Sequence, residues 1–287
     1  MSNPLTLDHI AEMMSELRAY HGRIVVIKIG GNSIAEDNFF LSKIARQAVF
    51  LNHNGVRVVL VHGGGPQIDD ALRDKKIETR KGADGRRITS PQAMRVVAHV
   101  MNEINMQVVE ALIEAGCAKD KIFAAAKQKH PLVQAESLDP ADAKGNRSGR
   151  PTGANVAPLE HALNEGKIVV LHSMGIGVDD TTVYNINGDD YAMEVASAIK
   201  AKRLVLVTNV AGVLDENHER IPVIDRITAK QLILDGVITG GMVPKVESAL
   251  MVLKRGVGGV AIIDGFRPWA ILGEVLTRQG QGTLFRS

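Results

Sequence analysis

Five apolar runs dominated by valine, isoleucine and leucine punctuate the chain: RIVVIKIGG at residues 23–31, VRVVLVHGGG at 56–65, KIVVLHSMG at 167–175, RLVLVTNVAGV at 203–213 and GVAIIDG at 259–265. Their apolarity is continuous rather than alternating, which marks strands covered on both faces, and such strands belong to parallel sheets. Helical spacing fills the intervals over about 37–51, 190–199 and 244–254, and over 91–115 behind a Ser90-Pro91 start, where serine caps the helix and proline opens its first turn. Alternation of this kind predicts a mainly parallel sheet sandwiched by helices. The glycine clusters that close the first two runs, Gly30-Gly31 and Gly63-Gly64-Gly65, then fall at strand carboxyl ends, where such sheets bind ligands.

Ahead of this frame, Leu7, Ile10, Met13, Met14 and Leu17 recur at helical spacing between Thr6 and Gly22 and predict a helix outside the alternation. Residues 75–89 read as a charged irregular or hairpin excursion. Residues 139–155, DPADAKGNRSGRPTGAN, form a polar loop that periodicity does not place, and the boundary between two halves is expected near residue 165. With 45% hydrophobic residues, 287 residues suffice for one large core or two fused lobes. A balance of 34 basic against 32 acidic residues leaves a net charge of +2, too little to gather nucleic acid or anionic lipid. No stretch reaches the roughly 20 apolar residues of a membrane-spanning helix. The single cysteine, Cys117, has no internal partner and suits a reducing compartment. A soluble, cytoplasmic protein is expected, with small molecules or further subunits as partners and no nucleic acid or membrane.

The two glycine clusters are either tight turns or anion nests for a phosphate. Taken alone, GGG favours the turn, being neither GxxxxGK[ST] nor GxGxxG. Lys28 weighs the other way, because it interrupts the run IVVIKIGG two residues before the glycines. An unpaired charge in a buried strand is costly, so its ammonium is expected to face an anion at the strand end, one that a transferring phosphate would supply, in preference to an edge-strand lysine or a structural ion pair. Lys245 opens a helix after GGMVP, where the helix dipole favours anions; a phosphate contact and an exposed first-turn lysine both fit. Asp189 and Asp190 in YNINGDD serve equally well as helix caps, and Arg86 and Arg87 in DGRRIT are either carboxylate forks or solvated hairpin charge. His62 and His172 read as histidines satisfied by the backbone. Without HExxH, GxSxG or a cysteine-histidine cluster, zinc hydrolysis and serine esterase chemistry have no foothold.

In this order and spacing, VVIKIGGNSI, VLVHGGGPQID, DGRRIT, YNINGDD, LVLVTNVAGVLD and ITGGMVPKV resemble the amino acid kinase family, and within it the acetylglutamate kinases, over residues 1–115 and 165–287. The resemblance implies a three-layer α/β/α sandwich with an open, mainly parallel central sheet. Residues 1–165 would form an N-terminal lobe for the acceptor and for oligomerisation, and 166–287 a C-terminal lobe for ATP. It implies ATP-dependent phosphorylation of the side-chain carboxylate of N-acetyl-L-glutamate, a step of arginine biosynthesis, with Mg2+ held mainly by phosphates and water. Position by position, Lys28 and Lys245 would neutralise the phosphoryl group in transfer, with Asp189 orienting both. Gly30, Gly31, Gly64 and Gly65 would donate amides to the transferring phosphate and the acceptor carboxylate. Arg87 and Asn185 would hold the acceptor's other carboxylate and its acyl amide. Thr208, Asn209, Gly212, Val213, Gly241, Met242 and Lys245 would contact the nucleotide. The first helix resembles the extra helix through which hexameric members interlace, which implies a homo-oligomer, a dimer or a hexamer. Residues 116–160 lack the GKDG-like turn and GxVGxV strand of acetylglutamate kinases. The alternative is therefore a same-fold kinase for another carboxylate, a carbamate or a phosphate-bearing metabolite, with Arg80, Lys81, Arg86 and Arg87 as a basic pocket; a non-catalytic amino-acid sensor is the remaining reading.

Overall fold

The computed structural model describes residues 6–37, 39–82, 85–142, 144–178, 182–240 and 242–286. In chain order the first half contains α1 (Leu7–Tyr20), β1 (Ile24–Ile29), α2 (Gly31–Glu36), α3 (Phe40–His53), β2 (Arg57–His62), α4 (Gly65–Asp74), β3 (Arg80–Lys81), β4 (Arg87–Ile88), α5 (Pro91–Glu114), β5 (Ile122–Ala124), β6 (Val133–Ser137), β7 (Ser148–Ala154) and α6 (Ala157–Asn164). The second half contains β8 (Ile168–His172), β9 (Met174–Gly177), β10 (Val183–Ile186), α7 (Gly188–Ala198), β11 (Arg203–Thr208), β12 (Val223–Ile224), α8 (Arg226–Leu234), α9 (Met242–Lys254), β13 (Val260–Asp264), α10 (Ala270–Leu276) and β14 (Thr283–Phe285).

All five β-branched runs are strands of one open sheet ordered β12-β14-β13-β11-β1-β2-β8-β5. Every neighbouring pair is parallel except β13 with β14. Because side chains alternate across a strand, β1 feeds two cores. Val25, Ile27 and Ile29 pack with α3, α5 and α10, while Val26 packs with Ala192 and Val195 of α7 and Val246 and Ala249 of α9. Helices thus cover both faces, giving a three-layer α/β/α sandwich. The register sets Ile29, His62 and Val207 side by side, and His62 beside His172, so the carboxyl ends of four strands finish nearly flush.

The loop that periodicity could not place forms part of a second assembly. β6, β7, β9 and β10 close a four-stranded barrel, with its inner residues Val133, Ala135, Tyr184 and Ile186 continuous with the core under α7. The sheet also runs through both halves of the chain, since β8, beyond residue 165, is paired with β2 and β5. The helix caps follow the sequence: Thr6 Oγ1 accepts from the His9 amide at 3.3 Å, and Ser90 Oγ from the Ala93 amide at 3.1 Å. Among the described residues no helix is long and apolar enough to cross a membrane.

Candidate active site

The flush strand ends form the floor of a cleft of about 360 Å³. Each strand contributes the residue at or just past its end: Gly30 from β1, Gly63 from β2, Ser173 from β8 and Thr208 from β11. The two glycine loops cross in van der Waals contact. A Cβ on Gly31 would stand 2.8 Å from the Gly65 nitrogen, and one on Gly64 would stand 2.7 Å from Ile104 Cδ1, so backbone approaches backbone only because side chains are absent. Gln67 fastens the crossing by donating from Nε2 to the Gly31 carbonyl at 3.0 Å. Gly65 and Pro66 open α4 at the cleft wall, where unpaired amides and the helix dipole favour an anion.

Lys28 shares the parity of Val26 and so points from β1 toward the α7 side of the sheet. There it meets Asp189 with Nζ 2.8 Å from Oδ1, the two side chains 14% and 23% exposed. The anion expected of a lysine in this strand is thus a carboxylate of the protein itself. Asp189 is not the cap of α7. Asn187 is, its Oδ1 accepting from the Asp189 and Asp190 amides at 2.8 and 3.3 Å. Burial pushes the Asp189 carboxyl up, but the Lys28 ammonium beside it and the charge of Lys245 outweigh burial and hold it below the ordinary carboxylate value. Lys28 and Lys245 line the same cleft, with one ionised carboxylate influenced by both.

At one end of the cleft stand Arg86, Arg87, Ser148, Gly149 and Asn185. Asn185 on β10 and Ser148 on β7 are register partners. Asn185 Nδ2 donates to Thr89 Oγ1 at 3.1 Å, and Ser148 Oγ accepts from the Thr89 amide at 3.1 Å and donates to the Arg87 carbonyl. Arg87 is only 7% exposed and is ion-paired with Asp69 of α4. It also donates to Thr79 Oγ1 at 2.9 Å and to the Gly65 carbonyl at 3.3 Å.

On the β11 side the cleft is lined by Thr208 and Asn209, and Lys245, whose charge acts on Asp189, lines it as well. The remaining residues expected at the nucleotide are placed differently. Val213 is buried with its amide donating to Thr283 Oγ1 at 2.8 Å, a Cβ on Gly212 would run into Thr283, and Met242 packs on the core beneath α7. None of these three lines the cleft, and Gly241 lies outside the described residues.

Among the cleft residues that sequence reasoning missed are Ser148, Gly149, Ser173, Asn187 and Leu138. Asn187 carried a signal, since asparagine two residues before a paired aspartate is a strong helix start. His62 and His172 lie beneath the floor. Burial lowers them to about 3 and about 4, with the His172 charge adding to the effect on His62, and His62 Nε2 sits 3.1 Å from Asn105 Nδ2. Both are neutral and structural at physiological pH. Among the described residues no group of three or more histidine, cysteine, aspartate or glutamate side chains is arranged to hold a metal ion.

Residues 23–264 match the amino acid kinase family. The acetylglutamate kinase of Paracoccus denitrificans (strain Pd 1222) is 36% identical over 279 residues, covering 97% of this chain and 89% of that protein. The solved structure of smu.665 from Streptococcus mutans UA159 is 32% identical, with a TM-score of 0.71 over 92% of this chain and 98% of that one. N-acetylglutamate synthase from Neisseria gonorrhoeae gives a TM-score of 0.82 over 99% of this chain; the present chain spans 64% of its length and shares 21% identity with it, a likeness of fold alone. The family match runs from the first residue before β1 to the last residue of β13, the stretch that builds the parallel core of the sheet and every cleft residue named above. On that ground the chain belongs to the amino acid kinase family.

Proposed function

We propose that this protein transfers the γ-phosphoryl group of ATP to the side-chain carboxylate of N-acetyl-L-glutamate, giving an acyl phosphate and ADP, a step of arginine biosynthesis. The observation that carries the reading is the Lys28–Asp189 pair, with Lys245 beside the same cleft, set over two interlocked glycine loops. The acceptor carboxylate is ionised at neutral pH and attacks the γ-phosphorus directly. One P–O bond forms, the bond to the β,γ-bridging oxygen breaks with its electron pair leaving on ADP, and no proton has to move. Catalysis is then alignment and charge stabilisation. Lys28 and Lys245 offset the charge on the transferring group, and Asp189 keeps the two ammonium groups aimed. Gly30, Gly31, Gly64 and Gly65 supply amides to the phosphoryl oxygens and the attacking carboxylate.

Arg87 and Asn185 hold the acceptor's second carboxylate and acyl amide, and Thr208 and Asn209 serve the nucleotide from the cleft; a role there for Gly212, Val213, Gly241 and Met242 rests on the resemblance alone. Residues 1–165 then answer mainly for the acceptor and 166–287 for ATP. The cleft offers cations and amides rather than a carboxylate cage, so Mg2+ would travel on the nucleotide's phosphates and water. A homo-oligomer is supported by the exposed apolar residues Leu7, Ile10 and Met14 on α1, and a cytoplasmic setting by the lone cysteine.

The test is ADP release with ATP and N-acetylglutamate against free glutamate, N-acetylaspartate and carbamate, with hydroxylamine trapping of the acyl phosphate. Preference for N-acetylglutamate is expected. Preference for another acceptor reassigns the substrate, and no turnover with any of them removes N-acetylglutamate and leaves the phosphate-bearing acceptors.

A further inference from the structure

Two adjacent arginines stand at the acceptor end, and their aspartate partners lie on different elements. Arg87 is tied back to Asp69 of α4. Arg86 reaches the opposite way, its Nη2 donating to Asp190 Oδ2 at 2.6 Å in the first turn of α7, directly after Asp189. The β3–β4 hairpin is therefore fastened to both walls of the cleft: to α4, which follows β2, and to α7, which carries the carboxylate that orients Lys28. Asn187 supplies the cap of α7, so the Asp190 carboxylate is not needed for capping. An anion in this first turn is held favourably by the helix dipole, which gives Arg86 a fixed point to grip.

We infer that Arg86 is a positioning residue: its pair with Asp190 straps the hairpin onto the catalytic helix and thereby sets the affinity for the acceptor. The hairpin end does not stand alone. The Arg87 carbonyl accepts from Ser148 Oγ, the Thr89 amide donates to Ser148 Oγ, and Thr89 Oγ1 accepts from Asn185. A hairpin that drifts from α7 takes this whole group with it. Among the described residues, no hydrogen bond ties Thr208 or Asn209, on β11 and just past it, to the hairpin. The strap should therefore act on the acceptor and leave the nucleotide alone. The inference rests on the proposed function for its choice of which end takes the acceptor.

Three variants test it, Arg86→Gln, Asp190→Asn and the double variant, with Arg86→Lys as the charge-keeping control. Each single variant should raise the acceptor KM about fivefold, the scale of one partly exposed ion pair. The ATP KM and kcat should stay within about twofold. The double variant should be no worse than either single one, because both remove the same interaction, and Arg86→Lys should recover part of the loss. Hydrogen exchange at residues 85–88 of the ligand-free protein should quicken in both single variants. An unchanged acceptor KM, or fully additive losses in the double variant, overturns the strap. So does a raised KM with unchanged exchange, which would make Arg86 a direct acceptor contact. Exchange needs no substrate, so it reports on the strap even if wild-type turnover assigns a different acceptor.

Discussion

Lys28 and the two glycine loops reach the cleft from β1 and β2, neighbouring strands in register along their whole length. Ser148, Gly149 and Asn185 reach it from β7 and β10, strands of the small barrel whose described residues pair at Asn185–Ser148 and Ile186–Gly149. The floor is backbone locked against backbone, with groups suited to the charge of a phosphoryl group. The wall proposed for the acceptor is side chains joined by hydrogen bonds between segments remote in sequence. The floor is accordingly the part that should govern turnover, and the wall the part that should govern which acceptor is held.

The sharpest break in that division would come from the lysines. Lys28→Ala or Lys245→Ala is expected to lower kcat about 10²–10³-fold, the scale of removing a preorganised charge from a developing transition state, with the circular dichroism spectrum unchanged. Near-normal turnover in either variant would refute the role of the floor. Gly31→Ala comes next. Its Cβ would stand 2.8 Å from the Gly65 nitrogen and force the loops apart, and kcat should fall about 10–100-fold for a displacement of a few tenths of an ångström; a change confined to acceptor KM would place Gly31 with the wall instead. On the wall, Ser148→Ala removes the bonds to Arg87 and Thr89. Acceptor KM should rise about fivefold, the equivalent of one hydrogen bond near 1 kcal/mol, with kcat retained. A kcat loss as large as that of the lysine variants would erase the distinction.

The last effect is on stability rather than rate. His62 and His172, buried beneath the floor, have values lowered to about 3 and about 4 against 6.5 for the ordinary side chain. Below pH 6.5 the unfolded chain takes up protons that the folded chain refuses, so stability is fully present above that pH and drains away as pH falls toward 4. Thermal melts at pH 7, 6 and 5 should show a falling Tm, and the slope should lessen in His172→Gln. A Tm independent of pH over that range would contradict the burial of a neutral pair.

The same contrast explains what was legible in the sequence. The floor was readable because a parallel strand announces itself by continuous apolarity, and Lys28 stands out against that background as an expensive exception. Which anion it faces was not readable, because the carboxylate of Asp189 arrives from 161 residues away. The wall was opaque for a local reason. β7 contains Gly149, Pro151 and Gly153, residues that argue against a strand, and its pairing with β6, bulged between Gln134 and Ala135, is set by closure of the barrel rather than by propensity. Short elements such as β12, α10 and β14 were missed because they hold too few residues to show a period. Gly212 and Val213 lie in a stretch that resembles a nucleotide loop, yet Thr283, from the far end of the chain, takes up the Val213 amide.

Lys28 springs from a strand hemmed in by β2 on one side and β11 on the other, so its Cα has nowhere to travel. Lys245 rides on the first turn of α9, a helix whose Val246, Ala249 and Leu250 are buried. Of the two ammonium groups, one is placed by a central strand and the other by the seat of α9, whose Val246 and Ala249 are buried in the core under α7. On the proposed function, the gap between the two cations is therefore set by how α9 seats against the core, and a change to that seat would slow transfer without touching either lysine.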